Sequence, residues 1–172
     1  KLIISLRLKN VILMIGDWGG PIGLAYAAAH PENVKKVVLF NSWAWPVNND
    51  WYYQGFSRFM GGPIGGYLIR KHNFFVNVVM VKAASRKSVL TNAVMEHYRK
   101  PFACTEDLEA CAAFPGQILK SKAWLTDLWG NRDKFVNLPF LVLWGKDDIA
   151  FRMKELNGWR AELKNAEYQI FE

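Results

Sequence analysis

The sequence predicts an α/β fold, a mostly parallel sheet interrupted by a helical insertion. Three observations carry that prediction. Short apolar runs rich in β-branched residues stand near the two ends, at 11–15, 34–40 and 140–144, and runs of this length read as buried strands. Between the first two lies a tight glycine turn followed by a small-residue helical stretch, which makes a strand–helix–strand unit with a right-handed, parallel connection. The sheet-building pattern then stops at Asn41 and resumes only near Leu138.

Taken in order, residues 2–10 are apolar and basic with no helix-start signal before them, and read as the tail of an element. They lack the small-residue cleavage site of a secretory leader. The stretch 21–30 is helical, with small and apolar residues closed by His30-Pro31 as a stop. From Ser42 to Asn137 the grain changes. Glycine-rich corners stand at Gly61-Gly62-Pro63 and Gly65-Gly66, and amphipathic stretches cover 67–82, 89–98, 106–113 and 123–128. Residues 153–164 are helical in pattern, and 168–171 begin a fourth strand. The expected organisation is a core of 1–41 with 138–172, interrupted by a helical cap at 42–137. An insertion that follows a strand of a parallel sheet lies over the carboxyl ends of the strands, where open α/β sheets bind ligands.

Composition bounds the function. With 51% hydrophobic and 22% charged residues over 172 positions, the chain is globular, which excludes disorder, collagen and coiled coil. Its apolar runs fall short of the ~20 residues of a membrane helix. The net charge is +7, but the excess sits in short pairs such as Arg70-Lys71, Arg86-Lys87 and Arg99-Lys100 rather than in a basic tract. Solvated helix surfaces explain such pairs better than a nucleic-acid face. Cys104 and Cys111, seven apart without a histidine companion, indicate neither a zinc site nor a disulfide framework, and read as buried or partly buried thiols.

The sharpest local feature is the run from Ile15 to Gly23, which sets Asp17 at a glycine-rich turn between a buried strand and a helix. This is the context of a nucleophile elbow, where small residues such as Gly19, Gly20 and Gly23 give the crossing backbone room. The helix that follows aims unpaired N–H groups at the turn and favours an anion there. The alternative is that Asp17 caps the helix. An acidic pair, Asp147-Asp148, follows the strand at 140–144.

Asp17-Trp18-Gly19-Gly20 with Pro21-Ile22-Gly23 resembles the nucleophile segment of the haloalkane dehalogenases, α/β-hydrolases that use aspartate instead of serine. The likeness continues in His30-Pro31-Glu32, in Asn41-Ser42-Trp43-Ala44-Trp45-Pro46, in Tyr98-Arg99-Lys100-Pro101-Phe102 and from Leu138-Pro139 to Phe151. It implies Asp17 as nucleophile, Trp18 as a halide and oxyanion donor, and Asp148 as the acid that orients a histidine base. Asp147 is then an exposed loop carboxylate. Some members carry a glutamate acid where Asn41 stands, so the resemblance is to the branch with an aspartate acid. Trp51, Trp124 and Trp129 are candidates for a second halide donor.

The resemblance further implies a halogenated small molecule and water as substrates, no metal or organic cofactor, no nucleic-acid or membrane partner, and a cytoplasmic setting. Epoxide hydrolases share the same D-W-G-G run and use two lid tyrosines, for which Tyr52, Tyr53, Tyr67 and Tyr98 are available. None of His30, His72 and His97 follows the strand beginning at Tyr168, where the resemblance puts the base. The expectation is therefore an internal piece of a longer enzyme. Its first strand would form an apolar sheet edge open to self-association, and a non-catalytic binding remnant is a further alternative.

Overall fold

The structure is a computed structural model that describes residues 2–84 and 87–172. The basic pair Arg86-Lys87 thus lies partly outside the described residues. Along the chain run α1 (Leu2–Ser5), β1 (Val11–Ile15), α2 (Gly19–Ala29), β2 (Val34–Phe40), α3 (Trp51–Met60), α4 (Pro63–His72), α5 (Val81–Ala83) and α6 (Asn92–Arg99). There follow α7 (Glu109–Lys120), α8 (Lys122–Gly130), β3 (Phe140–Gly145), α9 (Met153–Glu162) and β4 (Glu167–Phe171). Two compact units result, Lys1–Trp45 with Trp124–Glu172, and Pro46–Ala123.

The first unit holds a four-stranded sheet in the order β1-β2-β3-β4, with every neighbouring pair parallel. Side chains alternate across a strand, and the register Val37↔Phe140 and Leu39↔Val142 brings matching residues to one face. Leu13, Ile15, Val37, Leu39, Phe140, Val142 and Trp144 are buried. Leu24 and Ala27 of α2, and Leu156 and Trp159 of α9, add to this core. β1 forms one edge of the sheet, and its Ile12 and Met14 are 54% and 69% exposed.

The division of the chain differs from the 42–137 interval expected from sequence. Residues 124–137 group with the sheet because Trp124, Asp127, Leu128 and Asn131 face Ala25, Ala28 and Ala29 of α2 across a shallow recess. A stretch that reads as part of an insertion is thereby packed on a core helix.

The second unit is helical. Met60, Ile69, Leu108 and Ala112 form its buried cluster, ringed by Phe56, Phe74 and Phe102. The Ser57 hydroxyl donates to the Pro115 carbonyl at 2.7 Å, tying α3 to α7. Gly61-Gly62 makes the corner before α4, whereas Gly65-Gly66 lies inside that helix rather than at a second corner. The amphipathic stretch 67–82 is not one helix, because Asn73 adopts the left-handed conformation (φ 44°) that ends α4. Arg70 makes a bidentate pair with Glu109 (2.6 and 2.8 Å), and the Arg99 Nε donates to Asn77 at 2.7 Å. Cys111 is partly buried but Cys104 is exposed, correcting the expectation of two covered thiols. Its N–H donates to the Asp107 carboxylate at the start of a helical turn, on the solvent side.

No helix among the described residues is long and apolar enough to cross a membrane. Among those residues, no group of three or more His, Cys, Asp or Glu could hold a metal ion.

Candidate active site

The turn after β1 departs from ordinary backbone at Asp17, whose φ is +46°. The left-handed region is costly for any residue with a Cβ, by roughly 1–2 kcal/mol, and aspartate tolerates it better than most. Asp17 is not the helix cap. That position belongs to Trp18, in right-handed helical conformation and without a capping side chain. The strained turn is fixed from both sides: the Asp17 N–H donates to the Asn41 carbonyl (2.9 Å), and the Asp17 carbonyl accepts from the Gly20 N–H (3.0 Å) and the Ser42 hydroxyl (2.7 Å). A left-handed residue held by three hydrogen bonds at the mouth of a helix is the geometry that projects a side chain clear of the sheet.

Two of the three glycines named from sequence are required by space. A Cβ on Gly20 would overlap the Ser42 hydroxyl, and one on Gly23 would come within 2.7 Å of the Ile15 side chain. Nothing lies within 4 Å of a Cβ built on Gly19, so that glycine is not needed to relieve crowding.

The Asp17 residue keeps exposed surface, yet protein atoms crowd its carboxyl. That desolvation pushes its pKa above the usual aspartate value, the Trp18 backbone N–H pulls it down by hydrogen bonding to the carboxylate, and the charge of Asp148 pushes it up again. The last influence means that the two acids predicted from sequence, 131 positions apart by number, face the same region. Asp148 is half-buried beyond β3, and its Oδ1 accepts from the N–H groups of Ala150 (2.7 Å) and Phe151 (3.0 Å). Asp147 is exposed. The buried Glu155 then accepts the Arg152 N–H at 2.8 Å and its guanidinium at 2.9 Å, which fixes the start of α9 directly after the acid loop.

Asn41 and Ser42 are functional neighbours that the sequence reading passed over or saw only as a vacant acid position. The Asn41 side chain brackets Gly145, accepting from its N–H (2.8 Å) and donating to its carbonyl (3.0 Å), while its own backbone holds Asp17. One residue at the end of β2 thus ties the aspartate turn to the loop that carries Asp148. The signal for both lay in a polar pair placed immediately after an apolar strand, at the carboxyl end of a parallel sheet.

Trp18 is half-buried and meets Trp43 edge-on, with ring centroids 4.9 Å apart. Trp43 in turn stacks on Phe151 at 5.4 Å. Of the other tryptophans, Trp129 packs against Trp45 and Trp159, and Trp124 lines the recess on α2. Trp51 is 79% exposed in the helical unit. Tyr52, Tyr53, Tyr67 and Tyr98 all belong to that unit, with Tyr53 buried and Tyr67 and Tyr98 exposed. So do His72 and His97, whereas His30 ends α2 at the far end from Asp17, about 16 Å along the helix axis. Chemically, a desolvated carboxylate with a backbone donor at its side can attack a carbon directly, and a second acid nearby can orient a base.

Residues 5–172 match the family model described as alpha/beta hydrolase fold. Haloalkane dehalogenase 2 of Mycobacterium tuberculosis is 34% identical over 152 residues, which is 88% of this chain and 52% of that protein. The cis-3-alkyl-4-alkyloxetan-2-one decarboxylase of Shewanella oneidensis is 26% identical over 182 aligned positions, 97% of this chain and 54% of that protein. Among solved structures, haloalkane dehalogenase DbeA from Bradyrhizobium elkani superimposes with a TM-score of 0.81 at 22% identity, covering 99% of this chain and 62% of its own, a likeness of fold. The chain spans about half the length of the curated relatives it matches.

Proposed function

Because this chain belongs to the alpha/beta hydrolase fold family, we propose that the protein it represents is a haloalkane dehalogenase with Asp17 as nucleophile. The observation that carries the reading is the Asp17 carboxylate itself, set on a left-handed turn, crowded by protein and bonded by the Trp18 N–H. A carboxylate needs no base to displace halide from a saturated carbon. Attack by one Asp17 oxygen forms an alkyl ester as the carbon–halogen bond breaks and the halide departs with its electron pair. Water stripped from the carboxylate makes that attack faster. The Trp18 indole N–H is assigned to the departing halide and its backbone N–H to the ester oxygen, each worth roughly 3–4 kcal/mol in a dry site. Hydrolysis then returns the alcohol and restores the carboxylate, by water activated through a base that Asp148 orients. The 46–123 unit is assigned as the cap that selects the substrate.

Two related chemistries compete with this reading. The similarity to an oxetan-2-one decarboxylase supports attack on a strained lactone, and the shared D-W-G-G run supports attack on an epoxide. The discriminating experiment uses Asp148→Asn, which disables ester hydrolysis and leaves alkylation intact. Incubated with 1-bromohexane, this variant should release one bromide per chain and carry one hexyl group on Asp17, located by peptide mass mapping. Asp17→Asn should carry none. Adducts scattered over other carboxylates in this variant, or diol from styrene oxide or carbon dioxide from a cis-dialkyl oxetan-2-one formed by the unsubstituted protein without any bromide release from 1-bromohexane, would overturn the assignment.

A further inference from the structure

Trp43 belongs to no part of the chemistry assigned above, yet it sits at the junction of its two halves. The residue is 1% exposed, and its ring lies between Trp18, met edge-on at 4.9 Å, and Phe151, stacked at 5.4 Å. Phe151 is the residue whose N–H donates to the Asp148 carboxylate at 3.0 Å. Trp43 also follows Ser42, whose hydroxyl holds the Asp17 carbonyl. One indole therefore touches the neighbour of the nucleophile on one side and the donor to the acid on the other.

The indole N–H of Trp43 is buried and has no hydrogen-bond partner among the described residues. An unpaired buried donor lowers stability, and phenylalanine would give an apolar ring without that cost. By contrast, the Trp159 N–H nearby is satisfied, donating to the Ser42 carbonyl at 2.8 Å. What an indole supplies beyond phenylalanine is length, enough to contact Trp18 and Phe151 at once. The two-sided contact is what the longer ring adds.

We propose that Trp43 is a positioning residue, a wedge that holds the Trp18 indole and the Asp148 loop in a single arrangement. Without it, both neighbouring rings gain room to turn, and the Trp18 N–H loses its fixed direction. The proposal rests on the reading of Trp18 as a halide donor, but its structural half is testable apart from activity.

The test labels the full protein with 5-fluorotryptophan and follows the Trp18 line by fluorine NMR, assigned by its loss in Trp18→Phe. Trp43→Leu and Phe151→Leu should each shift or broaden that line. Each should also lower kcat for bromide release on the order of 10- to 100-fold, the penalty of a misdirected group, with a much smaller change in KM. Trp43→Phe, which keeps a ring but gives up the length that spans both neighbours, should shift the line and lower kcat by less than Trp43→Leu does. Should Trp43→Leu lose its fold, Phe151→Leu carries the test, since it loosens the wedge from the other side. A Trp18 line unmoved in Phe151→Leu, or a Trp43→Phe as impaired as Trp43→Leu, would overturn the proposal. If the line moves as expected while the wild type releases no bromide, the wedge stands and the dehalogenase reading falls.

Discussion

Adding one methyl group at Gly20 should disable the aspartate turn. Gly20 is the second residue of α2 and is buried; a Cβ there would overlap the Ser42 hydroxyl, stand 2.8 Å from the Ser42 Cβ and 3.4 Å from the Trp43 carbonyl. On an open helix surface, glycine to alanine would stabilise by about 1 kcal/mol. Here the overlap costs about 1–3 kcal/mol, and the displaced Ser42 hydroxyl forfeits its bond to the Asp17 carbonyl, about 1 kcal/mol more. The net expectation for Gly20→Ala is a loss of about 1–3 kcal/mol in urea denaturation. Ser42→Ala alone should lose about 1 kcal/mol, because the Asp17 carbonyl keeps the Gly20 N–H. In the double variant the oxygen is gone but the close approach of the two Cβ atoms remains, so the pair should be less destabilised than the sum by about 1 kcal/mol. Additivity within about 0.3 kcal/mol would refute the claim that the two residues share one space.

Other outcomes follow from the same geometry. Asp17 has a raised pKa, so its charge opposes folding: the native state is favoured while Asp17 is protonated, and stability is lost as pH rises through the raised value. Asp17→Asn should therefore be more stable than wild type at neutral pH and equal to it below the carboxylate range, as measured by denaturation across pH; equal stability at pH 7 would contradict the crowding. Asp17→Gly should recover about 1 kcal/mol further from the left-handed turn, less the entropy glycine loses on folding. Asn41→Leu, which cuts both side-chain bonds to Gly145 and takes the partner from its N–H while the carbonyl keeps the Asp148 N–H, should cost about 1–3 kcal/mol and loosen the Asp148 loop, read as faster amide exchange at Ala150 and Phe151. Trp18→Phe should leave the melting temperature nearly unchanged and slow bromide release strongly, since it removes one N–H and little volume.

The strands were legible because buried parallel strands are short apolar runs, and Val11–Ile15 and Val34–Phe40 match their observed limits residue for residue. The Asp17 turn was legible from its glycines, though at Gly19 the sequence suggests a crowding that the backbone does not impose. Less legible was everything set by contacts distant in sequence. Nothing local to residues 124–137 reveals that they pack on the alanines of α2, and α3 passed unnoticed among the aromatic residues around Trp51. The bracket made by Asn41 depends on a glycine in another strand. A side chain that satisfies two backbone groups far along the chain leaves no periodicity to read.

That bracket also sets a clock on assembly. Asn41 and Gly145 are 104 residues apart, and at cellular rates of synthesis the second follows the first by roughly 5 to 20 s. Through that interval the nascent chain already contains Asp17, Trp18 and their helix, but β3 has yet to be made. The neighbour strand that pins the aspartate turn is itself anchored only when its partner arrives. On the proposed role of Asp17, its turn is completed only late in biosynthesis, and a ribosome-held chain halted before β3 should expose Asp17 as an ordinary surface carboxylate.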